Sequence, residues 1–229
     1  VKAWVITIPD HEYSQRSSAA CRLSAGQYDI AVRIFNAVTP ATVEAEMSLH
    51  GLQWTWANGN VSKATCPVTG LEHFPYRTQD IRRKMACAMS HYLLWLDCSE
   101  QDDDYLILEH DARFVRAMPE IQFHGACQIN DPRRAGYRGA WHSDTMSRRH
   151  TAGVHPLTAK REAGSLVPDG FSGHSAYLVK PWAAQEFVNA YHRLGMWPND
   201  ATVCLQLFPW LEEYYPFVTI VDQRESTTQ

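Results

Sequence analysis

Glu109 and Asp111 close an apolar, β-like run, Tyr105 to Leu108, inside the segment Asp-Tyr-Leu-Ile-Leu-Glu-His-Asp-Ala-Arg-Phe at 104–114. Carboxylates at i and i+2 of an extended chain point to the same side, so both can grip one hard cation and, through it, a diphosphate. This is the chemistry a metal-dependent transferase applies to a nucleotide sugar. The alternative is that the two acids merely solvate a strand end. Mn²⁺ or Mg²⁺ suits an oxygen-rich site of this kind. His110, between the acids, is expected on the opposite face in a structural role, unless a bend brings it to the ion or the sugar.

Such acids need strands that deliver them to a common rim. Ala3–Ile8 is a near-continuous apolar run ended by Pro9-Asp10, as expected for a parallel strand covered on both faces. A helix is expected from about Glu12 to Leu23, then a second β-like run, Tyr28–Phe35, ending in Asn36-Ala37. This β-α-β opening should wind right-handed into a parallel sheet. Ligands of such sheets bind beyond the carboxyl ends of the strands, which places Pro9-Asp10, Asn36-Ala37 and Glu109–Asp111 together.

Residues 40–77 are less regular. Trp54 and Trp56 alternate with polar residues before the turn signal Asn58-Gly59-Asn60, which predicts a short hairpin, and packing on the sheet is favoured over a stacking role for the tryptophans. From Thr78, a candidate N-cap, to Asp97 the apolar residues recur at helical spacing. Asp102 to Asp104 read as a solvated loop. Residues 124–170 show no clear periodicity and carry seven cations between Arg133 and Arg161 against one acid, Asp144, so a long basic loop able to hold an anionic ligand is expected there. A strand at Gly173–Val179, a helix opened by Pro181, a helical segment after Trp197-Pro198-Asn199-Asp200, a strand at Phe217–Val221 and a frayed polar tail, Glu225–Gln229, complete the pattern.

The chain has 229 residues, 45% of them hydrophobic, enough for one domain with a sizeable core. A net charge of −4 argues against a protein that coats nucleic acid through overall charge, although a local patch remains open. No apolar run is long enough to span a membrane, and Val1–Pro9 is too short and lacks the cationic start of a signal peptide, so a cytoplasmic chain is expected. Six scattered cysteines without a Cys-x-x-Cys pair signal neither a zinc site nor a disulfide framework, and buried free thiols are expected.

Several of these pieces occur in a familiar order. Trp4–Pro9 is followed by the helix bearing Arg16, then by Ala86-Cys87-Ala88-Met89-Ser90-His91 and Tyr-Leu-Leu-Trp, then Glu109-His110-Asp111-Ala112, Gly173–Tyr177 and Pro198-Asn199-Asp200. In this order the chain resembles glycosyltransferase family 25, the lipopolysaccharide and collagen-type galactosyl- and glucosyltransferases of GT-A fold. The resemblance implies a single α/β domain with a Rossmann-type, mostly parallel sheet flanked by helices. It departs from the pattern at Ala86, in place of Gly, and at His110, in place of an acid. The 40–77 segment and the basic stretch have no counterpart.

The resemblance further implies a nucleotide-sugar donor, a UDP-hexose by preference, lying against the ends of the first two strands at Ile8, Pro9, Asn36 and Ala37. Arg16 would neutralise phosphate or simply be an exposed helix residue. Ser90 and His91 face the site or, for the histidine, the core. The implied mechanism is inverting, and Asp200, at an expected helix N-terminus, is the candidate base that deprotonates the acceptor, the alternative being a helix cap. An anionic glycan is the favoured acceptor, with DNA carrying hydroxymethylated bases second because the arginines would serve phosphates equally well. A non-catalytic nucleotide- or glycan-binding module is the rival from another class, against which the joint presence of Glu109, Asp111 and Asp200 counts. A dinucleotide-binding dehydrogenase is disfavoured, because no Gly-x-Gly-x-x-Gly follows the first strand.

Overall fold

The computed structural model describes residues 1–59, 61–76 and 78–222. The expected polar tail, Glu225–Gln229, lies outside the described residues, as does Asn60 of the turn signal.

The chain opens with β1 (Lys2–Thr7), α1 (Glu12–Gly26) and β2 (Val32–Asn36). Next come α2 (Val43–Leu49), the two-residue strands β3 (Ala64–Thr65) and β4 (Glu72–His73), and α3 (Ile81–Ser99). Then follow β5 (Tyr105–Glu109), β6 (Ala112–Phe114) and β7 (Ala126–Gln128), a 3₁₀ turn at Pro132–Arg134, α4 (Gly139–Arg149) and β8 (Gly153–Pro156). The last elements are β9 (Ala176–Val179), α5 (Pro181–Leu194), α6 (Asn199–Thr202), β10 (Glu212–Tyr215) and β11 (Thr219–Val221).

Seven strands form one sheet in the order β2-β1-β5-β9-β7-β10-β8. β2, β1 and β5 are mutually parallel, as are β7 and β10, while β9 and β8 run against their neighbours. The sheet is therefore mostly parallel and Rossmann-like, as the β-α-β opening predicted. Register sets the site: Thr7 pairs with Asn36 and Ile6 with Glu109, so the ends of β1, β2 and β5 share one rim.

β5 explains why an apolar run forms a central strand. Tyr105 and Ile107 face one buried cluster, which α3 and α5 cover, and Leu106 and Leu108 face another, beneath α1. All four side chains are buried, so neither face requires polar residues. Burying a side chain of this size contributes about 1.5–3 kcal/mol, which offsets the ordering of the strand.

Several expectations need correction. Asp80, not Thr78, caps α3, its carboxylate accepting the Arg82 N–H at 3.0 Å. The hairpin falls at β3 and β4, not at the tryptophans: Trp54 bridges to Met196, and Trp56 is buried against His73 at 4.0 Å between ring centroids. The stretch 124–170 is not one long loop, since β7, α4 and β8 lie within it. α4 buries Gly139, His142, Ser143, Thr145 and Met146, and because most of these are not apolar, helical spacing gave no hydrophobic signal. After Asp200 the helical segment is a single turn, α6.

Gly170 locks α6 in place. A Cβ there would stand 2.2 Å from the Val203 carbonyl oxygen and 2.5 Å from that of Asp200, and backbone cannot step aside as a flexible side chain can. Gly170→Ala is expected to destabilise the protein by roughly 1–3 kcal/mol or more and to displace Asp200. Thermal melting together with turnover checks this; a wild-type melting temperature would show that the contact yields.

Candidate functional site

A cavity of about 320 Å³ opens at the rim formed by β1, β2 and β5. Of the residues singled out in the sequence, Ile8, Ala37, Ser90, His91, Glu109, Asp111 and Asp200 line it. Pro9, Asn36 and Arg16 do not. Asn36 is exposed although it sits at the β2 end, and its neighbour Ala37 turns inward, donating its N–H to Thr7 O at 2.8 Å. Arg16 stands on the solvent side of α1, 3.3 Å from Glu12 one turn earlier, because the opposite face of α1 buries Ser14, Ser17, Ser18 and Cys21. The cations that do line the cavity are Arg83, Lys84 and Arg134.

The two carboxylates reach the cavity through a bend, the alternative held open for His110, and not along one extended strand. β5 ends at Glu109, and the chain turns at His110 and Asp111 before β6, which pairs with β11. The i, i+2 rule for an extended chain therefore does not apply, and His110 lines the same cavity, its ring set edge-on against Tyr13 at 5.9 Å. Glu109 is clamped by Ser175, which accepts the Glu109 N–H through its carbonyl at 2.8 Å and donates its hydroxyl to Oε2 at 3.0 Å. Asp111 is buried, and its Oδ1 has no hydrogen-bond partner. Burial first, and then the charge of Glu109, push the Asp111 carboxyl up to about 7. A buried, unpartnered carboxylate oxygen beside a second acid is the donor set that a hard divalent ion satisfies, so these residues fit such an ion.

Across the cavity, Asp200 lies in the first turn of α6. Pro198 holds the cap position with no side-chain cap bond, while the Asp200 carboxylate accepts the Tyr76 hydroxyl at 3.0 Å. Lys84 Nζ stands 4.7 Å from the centre of the Tyr76 ring. Burial raises the Asp200 carboxyl above its usual range, and Lys84 and the Tyr76 hydrogen bond hold it back. Tyr76 comes from the irregular middle segment, and only the three-dimensional contact identifies it.

Ser90 and His91 are both buried on α3. The Ser90 hydroxyl accepts the Val38 N–H at 2.9 Å and donates to Ala86 O at 2.8 Å, so it fastens the end of β2 rather than presenting a free hydroxyl. His91 Nε2 lies 3.5 Å from Glu109 Oε1. His174, not anticipated from the sequence, lines the cavity with a left-handed backbone (φ 42°) and two buried ring nitrogens without partners. Burial lowers its basicity well below the usual histidine range, so it is neutral.

The expected basic segment is largely engaged with itself. Arg133 pairs with Asp144 at 3.0 Å, Lys160 is buried against Asp169 at 2.8 Å, and Arg138 donates to Lys160 O at 3.0 Å. His142, inside α4, contacts Ser172 Oγ at 3.2 Å and Glu213 at 2.6 Å, which ties the helix to the loop carrying Gly173, His174 and Ser175. The segment thus supports the site wall, and Arg134 reaches the cavity itself.

A mostly parallel sheet with acids and flanking cations at the carboxyl-end rim defines a Rossmann-like protein. The model of glycosyltransferase family 25, described as an LPS biosynthesis protein, matches residues 14–203. The chain belongs to this family and is a glycosyltransferase. No curated protein matches the sequence significantly. Among the described residues no helix is long and apolar enough to cross a membrane.

Proposed function

We infer that the protein is a metal-dependent, inverting glycosyltransferase of GT-A type that moves a hexose from a nucleotide sugar, a UDP-hexose by preference, to a hydroxyl of an anionic glycan. The observation that carries the reading is the buried, unpartnered Asp111 oxygen beside Glu109, with Asp200 facing the same cavity. All six cysteines are free, which accords with a reducing, cytoplasmic setting.

Glu109 and Asp111 would hold Mn²⁺ or Mg²⁺, which when bound supplies positive charge against the departing diphosphate. Ile8 and Ala37 flank the nucleotide at the strand ends. Ser175 keeps the Glu109 carboxylate oriented. Asp200, raised in pKa toward the working range, takes the acceptor hydroxyl proton as that oxygen attacks the anomeric carbon. Tyr76 holds Asp200 by its hydrogen bond, and the charge of Lys84 together with that bond opposes the rise in its pKa. The family description, an LPS biosynthesis protein, supports a glycan acceptor.

A thermal-shift panel of nucleotide sugars with and without Mn²⁺ tests the reading, since a ligand that binds only the folded state raises stability by mass action. Stabilisation by a nucleotide sugar that requires Mn²⁺ is expected, and no response to any member would overturn it. Arg134→Ala is expected to raise the acceptor KM roughly tenfold, the scale of one charge-assisted hydrogen bond, with little change in donor KM. Steady-state kinetics in both substrates check this. A rise in donor KM alone would move Arg134 to the diphosphate.

A further inference from the structure

Cys87 and His91 lie one turn apart on α3, and Glu109 meets them from the end of β5. One ligand atom from each falls within 4.8 Å of the other two. Glu109 Oε1 is 3.5 Å from His91 Nε2 and 3.9 Å from Cys87 Sγ. Tetrahedral ligands at usual zinc bond lengths stand about 3.3 Å (N to O) and about 3.5 Å (S to O) apart, so the two contacts of Glu109 are within a few tenths of an ångström of ligand spacing, and the thiol and imidazole lie within 4.8 Å of each other.

A second observation points the same way. His91 is fully buried, yet its Nε2, aimed at the thiol and the carboxylate, has no hydrogen-bond partner. Its other nitrogen contacts Tyr177 OH at 2.8 Å, the kind of anchoring contact that fixes the ring of a metal-ligating histidine.

We propose that Cys87, His91 and Glu109 form a site for a borderline transition ion of the Zn²⁺ class. On binding, Cys87 releases its proton to solvent, and thiolate and carboxylate together balance the two positive charges of the ion. Asn199 Oδ1, 3.6 Å from Cys87 Sγ, is a further oxygen next to the trio. The thiolate and imidazole distinguish this site from the all-oxygen pair, Glu109 and Asp111. Glu109 has lone pairs enough to face both. The site needs no nucleotide, so it stands or falls independently of the transfer reaction.

The test is a titration of the full chain, stripped with a chelator, with Co²⁺ alone and no nucleotide. A thiolate-to-cobalt charge-transfer band saturating at one ion per chain, and displaced by Zn²⁺, is expected. Cys87→Ser should abolish the band, His91→Ala should weaken binding at least tenfold, and Asp111→Asn should leave the band in place. Should Cys87→Ser fail to fold, His91→Ala gives the decision by the same spectrum. Absence of the band in the wild-type protein, or its persistence at full strength in Cys87→Ser and unchanged affinity in His91→Ala, overturns the proposal.

Discussion

Asp111→Asn is expected to reduce turnover on the order of 10³-fold, the scale at which removing one preorganised charge-stabilising group acts, while leaving the fold intact. The amide keeps the shape and removes the charge that would hold the ion. The same substitution should relieve the metal-free protein at high pH. Buried Asp111 titrates at about 7 when folded, against an ordinary carboxylate value near 4 when unfolded. Between those values the folded state binds more protons than the unfolded one, so this group lowers stability as pH rises, reaching its full effect above about 7. The melting temperature of the variant minus that of the wild type should therefore grow from pH 5 to pH 8 in a chelator. Wild-type turnover by Asp111→Asn at saturating Mn²⁺ would remove the carboxylate from the chemistry.

Asp200→Asn is expected to lower kcat by about 10²–10⁴-fold, the range for losing a general base, with donor affinity nearly unchanged, because the base acts on the acceptor oxygen. Donor binding measured by calorimetry beside kcat separates the possibilities. A large loss of donor affinity would assign Asp200 to the diphosphate or its ion. Tyr76→Phe supplies the companion experiment. The Tyr76 hydrogen bond lowers the Asp200 pKa, so its loss should raise that pKa and move the acid limb of the kcat profile to higher pH. An unmoved limb in a folded Tyr76→Phe protein would detach Tyr76 from the base.

Strands buried on both faces were legible because they read as unbroken apolar runs: Ala3–Ile8 and Tyr105–Leu108 became β1 and β5, and their registered ends made the rim where Glu109 and Asp111 sit. Of the short strands, β9 and β11 fall inside the runs read at Gly173–Val179 and Phe217–Val221, but others left no such mark. β6, β7 and β10 have only three or four residues each, and β10 buries a glutamate, Glu213, against His142. α4 escaped notice because its inward face carries Gly, His and Ser. Of the residues singled out in the sequence, Ser90 and His91 do line the cavity. Tyr76 and His174 were missed, because their relevance arises from contacts across 124 residues, in the case of Tyr76 with Asp200, or from a left-handed turn. Arg16 misled for the opposite reason: an arginine on the helix after the first strand has a solvent face available, and that is where the packing of four small residues places it.

β9 lies between β5 and β7, so the strand carrying Glu109 acquires its second neighbour only from chain 66 residues downstream, counted from Glu109 to Ser175. During synthesis on the ribosome, β5 emerges with an open, apolar edge and waits for that neighbour. Exposed strand edges of this kind invite pairing with other chains. A nascent or prematurely terminated polypeptide ending before β9 should therefore be prone to aggregate and should depend on chaperones. Once β9 has been made, the chain covers the same edge with its own later strand.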